Sequence, residues 1–132
     1  MTIIRKTYHI EPRSFLEGAD LSNTSLMGAN LKESNLRRAN LTDANLSRWG
    51  PEETNLEGAI LDGADLRNAN LDYANLVRAS FQGAKLSGTS LRNARLYFVD
   101  LRGANLLHAN TFQARLSGAI IDDGQGNEYE LV

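Results

Sequence analysis

The chain has 132 residues, 42% of them hydrophobic and 23% charged, the size and balance of a single domain. It contains no cysteine, which excludes disulfides, thiolate metal sites and a cysteine nucleophile and fits a reducing compartment. A net charge of −2 argues against direct nucleic-acid binding.

Residues 2–10 alternate, with Ile4, Lys6, Tyr8 and Ile10 on one side and Ile3, Arg5, Thr7 and His9 on the other. This pattern predicts a cap strand within residues 1–13, ended by Glu11-Pro12 because proline breaks a ladder. The opening residues are too poor in apolar side chains for a signal peptide, and no stretch approaches a membrane span. Cytoplasm is therefore the expected location, with no membrane contact.

From residue 14 to 121 an apolar residue returns at every fifth position. The series runs Leu16, Leu21, Leu26, Leu31, Leu36, Leu41, Leu46, then Leu56 through Leu76, Phe81, Leu86 through Leu106, Leu116 and Ile121. Alanine commonly stands two places earlier, as at Ala39, Ala74, Ala104 and Ala114, with Ser or Thr at Ser14, Thr24, Ser34, Thr54 and Thr89. A step of five residues turns an α-helix by about 140°, so the leucines would spiral around every face. On a flat strand an odd spacing would send successive leucines to opposite sides. A chain that bends once per repeat keeps them all inward, and stacked coils then bury a central column. Such a fixed repeat predicts a solenoid.

The bend has its own residues. Eight of the eleven glycines fall two places after the central apolar residue, among them Gly18, Gly58, Gly88 and Gly118. That is the place for the positive φ of a type II turn. Asn or Asp often precedes the leucine, as at Asp20, Asn35, Asn70 and Asn105, where its side chain is able to bond nearby backbone.

The run A(D/N)LXX, present as Ala39-Asn40-Leu41-Thr42-Asp43 and Ala69-Asn70-Leu71-Asp72-Tyr73, resembles the pentapeptide repeat family over residues 14 to about 121. The resemblance implies an all-β fold: a right-handed quadrilateral parallel β-helix with four pentapeptides per coil and the Leu and Ala positions inward. On that basis the repeats form about five to six coils, a tower roughly 26 Å tall. Equally, a narrow coil has little room at the Ala positions, so leucine at Ala74 or Ala104 is expected to be harmful.

Trp49-Gly50-Pro51-Glu52-Glu53 interrupts the pattern, with Trp at an Ala position and Pro at a Leu position. The five residues form either one distorted side of a coil or an outward loop, and the Gly-Pro turn and the bulk of tryptophan favour the loop. Trp49 then either contacts a partner or, more plainly, covers the adjacent wall. Thr111 also breaks the apolar column, with Phe112 able to turn inward in its place. After residue 121, Asp122 to Asn127 is turn-rich, and Glu128 to Val132 is either a short returning strand or a loose tail, so 122–132 is an acidic tail or cap. No dimer-forming terminal helix of the kind many relatives carry is visible. A monomer or a weak end-to-end oligomer is expected.

Charge is segregated along the chain: +2 over residues 1–48, −5 over 49–75, +5 over 76–121 and −4 in the tail. Stacking turns these blocks into bands, so the acidic tail has basic coils to lie against, or towers meet through opposite bands; solvated surface is the plainer reading. The basic block and its exposed apolar residues give a candidate interaction surface: Arg78, Arg92, Arg95, Tyr97, Phe98, Arg102, Leu107 and Arg115.

Catalysis has little footing. The two histidines, His9 and His108, lie far apart in the chain, the serines are repeat fillers, and residues 122–128 lack the acid and glycine spacing of an EF-hand loop. No enzyme activity and no cofactor or metal is expected. The expected function is a scaffold or protein-binding module using the faces of a rigid tower, with a protein as partner. The resemblance implies a second reading, because some relatives imitate duplex DNA and protect type II topoisomerases from quinolones. That role needs a long acidic surface, which this nearly neutral chain with its basic band does not have.

Overall fold

The computed structural model describes residues 8–131. The chain winds into a right-handed quadrilateral parallel β-helix. Its first side stacks Phe15, Asn35, Ile60, Ser80, Asp100 and Ile120 as successive parallel rungs. The second side stacks Asp20, Asn40, Asp65, Lys85 and Asn105, the third Ser25, Asn45, Asn70, Ser90 and Asn110, and the fourth Asn30, Asn55, Asn75, Arg95 and Arg115. Partners are separated by 20 residues, as in Phe15 with Asn35, so four pentapeptides close one coil.

Two backbone bonds tie each rung to the next. Leu16 donates to the Asn35 carbonyl at 2.8 Å, and Asn35 donates to the Ser14 carbonyl at 2.9 Å. Away from the bulge each corner is a four-residue turn, for example Ala19 N–H to the Leu16 carbonyl at 3.0 Å, and its third residue has positive φ. Glycine fills that place at eight corners, but Glu33, Arg38, Tyr73, Arg78 and Phe98 adopt it too, with φ of 55–62°. The local cost of the left-handed conformation, about 1–2 kcal/mol for an ordinary residue, is accepted because the ladder above and below fixes the turn. The Asn before the leucine does what its position suggests: the Asn40 Oδ1 accepts from Thr42 N–H at 3.1 Å, and Asn70 repeats this with Asp72 at 2.9 Å.

The leucine column is the core. Leu31, Leu36, Leu41, Leu46, Leu56, Leu61, Leu66, Leu71 and Leu76 are fully buried, with Ala39, Ala59, Ala64 and Ala74 beside them. Each buried leucine contributes on the order of 1.5–3 kcal/mol of gross burial energy. The hydroxyls of Ser34, Thr54 and Thr89 replace Ala without orphaned polar atoms, as when the Thr89 hydroxyl donates to the Leu66 carbonyl at 2.7 Å.

At residues 49–52 the ladder skips. Ser25 pairs with Asn45, but Asn30 pairs with Asn55 and Asn45 with Asn70, 25 residues on, before the spacing returns to 20 at Asn55 and Asn75. The extra pentapeptide stands outside the coil as a tight hairpin in which Trp49 and Glu52 exchange backbone bonds at 2.6 and 2.9 Å. Trp49 is 66% exposed. The core explains the skip: with uniform spacing Pro51 would stack on Leu31, whereas the bulge brings Leu56 there and keeps four aliphatic plugs in the coil. Thr54 seals the base of the bulge, accepting from Gly28 N–H and donating to the Ser47 carbonyl, both at 2.9 Å.

The two ends differ. Leu16, Leu21 and Leu26 of the first coil are buried, with Tyr8 and Ile10 packed over the core. Most of the expected N-terminal cap strand, residues 1–7, lies outside the described residues. At the other end Ile120–Asp122 (β1) pairs antiparallel with Glu128–Glu130 (β2), so the tail includes a returning strand, and Leu131 packs against the core. This hairpin covers the first side only. On the others Ala104, Leu106, Ala109, Ala114 and Leu116 are half-buried and Thr111 is exposed. Phe112 does not turn inward to replace Thr111; it is 59% exposed.

Candidate binding site at the bulge

The bulge leaves a hollow beside it. Because Arg48 precedes the extra pentapeptide, the corner between the third and fourth sides stacks residues 48 and 53 near Tyr73, Asn93 and Gln113, each one coil further on. Arg95 and Arg115 reach the same space from the fourth side, and Pro51 forms its rim. The cavity measures about 290 Å³.

Its lining is charged and asymmetric. The Arg48 guanidinium lies 3.9 Å above the Tyr73 ring, a stacking that holds the cation while leaving its edge donors free. Arg95 is paired with Glu53. Among the described residues no carboxylate forms an ion pair with Arg48 or Arg115. Asn93 and Gln113 add amide groups on the same coils as Arg95 and Arg115.

Of the surface expected from sequence, six residues flank the fourth side. Arg92, Arg95 and Arg115 lie toward the hollow; Tyr97, Phe98 and Arg78 lie toward the next corner, where the Arg78 guanidinium sits 5.3 Å from the Phe98 ring centre. Arg102 and Leu107 are elsewhere. Arg102 stands between the first and second sides, clamped by Asp100 at 2.7 Å and by Glu128 of the tail at 3.0 Å. Leu107 is exposed between the second and third sides. Sequence reasoning did not single out Arg48, Glu53, Tyr73, Asn93 or Gln113; the signal available was the 20-residue coil, lengthened by five across the bulge, which aligns 48, 73, 93 and 113 on one corner.

The acids held by a neighbouring arginine are shifted. A side-chain hydrogen bond from Arg102 holds the Asp100 carboxyl below its ordinary value of 3.8, against the opposing effect of burial, and Arg67 does the same for Asp65. Both pairs join residues on either side of an inward leucine, two apart and facing outward together.

No group of three or more His, Cys, Asp or Glu among the described residues is placed to hold a metal ion, and no helix there is long and apolar enough to cross a membrane.

Several solved structures resemble the chain. The heterocyst-differentiation regulator HetL from the cyanobacterium Nostoc sp. PCC 7120 is 36% identical over 86% of this chain and 60% of its own, with a TM-score of 0.40. A pentapeptide repeat protein of the Arabidopsis thaliana thylakoid lumen is 28% identical over 82% of this chain and 65% of its own, with a TM-score of 0.49. The plasmid-mediated fluoroquinolone resistance protein QnrB1 is 22% identical over 82% of this chain and 57% of its own, with a TM-score of 0.37. The chain thus spans less than two thirds of the length of each of these proteins. Among curated proteins none matches. The pentapeptide repeats model matches in eight copies over residues 16–48, 52–88 and 79–118, breaking where the ladder skips. The chain belongs to the pentapeptide repeat family.

Proposed function

We propose that this chain is a non-enzymatic, cytoplasmic protein-binding module whose contact surface is the fourth side of the tower with its two flanking corners. The observation that carries this reading is the bulge. A solenoid of uniform coils offers the same wall everywhere, and residues 49–52 interrupt that uniformity to build a concave, arginine-lined hollow beside an exposed Trp49. The half-buried Tyr97 and the exposed Phe98 lie along the same side, so one face combines a cationic hollow, aromatic side chains and a rigid backbone. Aromatic residues and arginine are the types enriched in contact surfaces.

Duplex mimicry is the less supported reading. It asks for an acidic face, and the fourth side ends in Arg95 and Arg115. A gyrase supercoiling assay is expected to show no protection from quinolone; protection would reverse the order of the two readings.

Affinity capture from native lysate, followed by reconstitution with the purified captured protein, tests the module reading. Saturable binding is expected to fall with Tyr97→Ser/Phe98→Ser and to persist with Leu107→Ser, which changes the opposite part of the tower. Equal binding by all three forms removes the fourth side from consideration.

A further inference from the structure

The geometry points to a specific ligand chemistry for the hollow: a phosphomonoester, held as a dianion between Arg48 and Arg115. This rests on the site described above, but it asks less than a protein partner does, since a small phosphate ester suffices.

Charge balance comes first. Three guanidiniums line the hollow and one carboxylate, Glu53, answers Arg95. Arg48 and Arg115 remain without an ion pair among the described residues. Their two uncompensated charges match a phosphomonoester, which carries about −1.5 to −2 near neutral pH and offers three acceptor oxygens. A single carboxylate would leave one guanidinium unanswered. Guanidiniums bind phosphate through paired N–H groups, and the amides of Asn93 and Gln113 supply further donors in the same wall.

The ladder gives an independent reason. On the fourth side the earlier rungs are Asn30, Asn55 and Asn75, and Asn75 donates to Asn55 at 3.5 Å as a side-chain ladder. The last two rungs replace this with Arg95 directly opposite Arg115. Like charges on adjacent rungs about 4.8 Å apart destabilise a sheet. Glu53 reaches from beside the bulge to pair with Arg95 and leaves Arg115 without a carboxylate of its own, a charge that an incoming dianion would answer. Arg48 is meanwhile held over Tyr73, which restricts its cation before any ligand arrives. The size also fits: about 290 Å³ lies at the lower end of small-ligand sites and holds the phosphoryl group with a short stem.

Titration of the full chain at constant ionic strength with inorganic phosphate, glycerol 3-phosphate, N-acetyl-phosphoserine amide and succinate tests this, read by calorimetry and by the Nε–H resonances of Arg48 and Arg115. The expected result is saturable phosphate-ester binding with a dissociation constant at or below about 1 mM, with both arginine resonances shifting. Arg48→Gln and Arg115→Gln should each weaken it by about tenfold or more. Tighter binding of the phosphoserine probe assigns the group to a phosphorylated partner, and tighter binding of glycerol 3-phosphate assigns it to a free metabolite; either supports the inference. Absence of saturation, equal binding of succinate, or binding unaffected by both substitutions overturns it. Without ligand, Arg115→Gln is expected to melt at or above the parent temperature, and a marked fall would show that Arg115 serves the fold instead. Phosphate binding alongside unchanged protein capture by the Tyr97→Ser/Phe98→Ser variant would overturn the proposed aromatic contact surface and leave this inference standing.

Discussion

Gly118 shows what a single corner tolerates. Its φ is +77°, and a Cβ built there would overlap the ring of Phe98, which fills the corner one coil below. Gly18 and Gly83 have a similar φ but open space at the same point. Gly118→Ala is therefore expected to lose about 2–4 kcal/mol in denaturant unfolding, the strain of the left-handed backbone plus the overlap, and Gly83→Ala only about 1–2 kcal/mol. Adding Phe98→Ala to Gly118→Ala should recover part of the loss, giving a non-additive cycle; equal losses at Gly118 and Gly83 would contradict the packing of Phe98. Asp100 is the second residue-scale case. Because Arg102 lowers its folded pKa, the stability it contributes is present above the ordinary value of 3.8 and is lost as pH falls through the lower folded value. Melting temperature is expected to decline below about pH 4, and Asp100→Asn should flatten part of that limb by an amount of order 1 kcal/mol, since the pair is partly exposed. An unchanged acid limb would remove Asp100 from the account.

At the scale of the pentapeptide the same substitution gives opposite results at two places. Ala74 is fully buried in the middle of the tower, whereas Ala104 lies in the last coil and is half-buried. Ala74→Leu is expected to cost about 1–3 kcal/mol through overpacking, while Ala104→Leu should change stability by less than about 0.5 kcal/mol because the side chain has an open end to enter. Thermal unfolding of the two variants decides it, and equal losses would mean that the last coil is as closed as the centre. From sequence alone Ala104 is expected to behave as Ala74 does, because the repeat is the same and only the number of coils above it differs. Much of the element is legible in the residues. The leucine column, the small residue two places earlier, the turn at the fourth and fifth positions and the Asn bonding back to the chain all recur every five residues, and each has a local physical cause. The hollow was not legible in the same way. Arg48, Tyr73 and Gln113 are far apart in the chain and meet only because a coil is 20 residues and the bulge inserts five more, a register that local propensity does not reveal.

For the whole molecule the decisive fact is that each coil is stabilised by its neighbours, so the two ends cannot be equivalent. At the first coil Leu16, Leu21 and Leu26 are buried, and Leu16 N–H is bonded to the coil above. At the last coil β1 and β2 complete the first side, with Leu131 donating to the Ala119 carbonyl at 2.8 Å, but among the described residues Leu106, Thr111 and Leu116 have no further rung to receive their N–H groups. Opening that coil breaks one interface, whereas opening a central coil breaks two. Hydrogen exchange should follow this difference. Protection is expected to be highest for Leu61, Leu66, Leu71 and Leu76, to fall toward Leu106 and Leu116, and to be independent of protein concentration if the tower is a monomer. If instead a second copy sits on the open edge, the amides of Leu106, Thr111 and Leu116 will gain protection as concentration rises, while those of the first coil will not. Exchange at Leu106 as slow as at Leu66 in dilute solution would contradict an open last coil altogether, and with it the expectation that Ala104→Leu is tolerated.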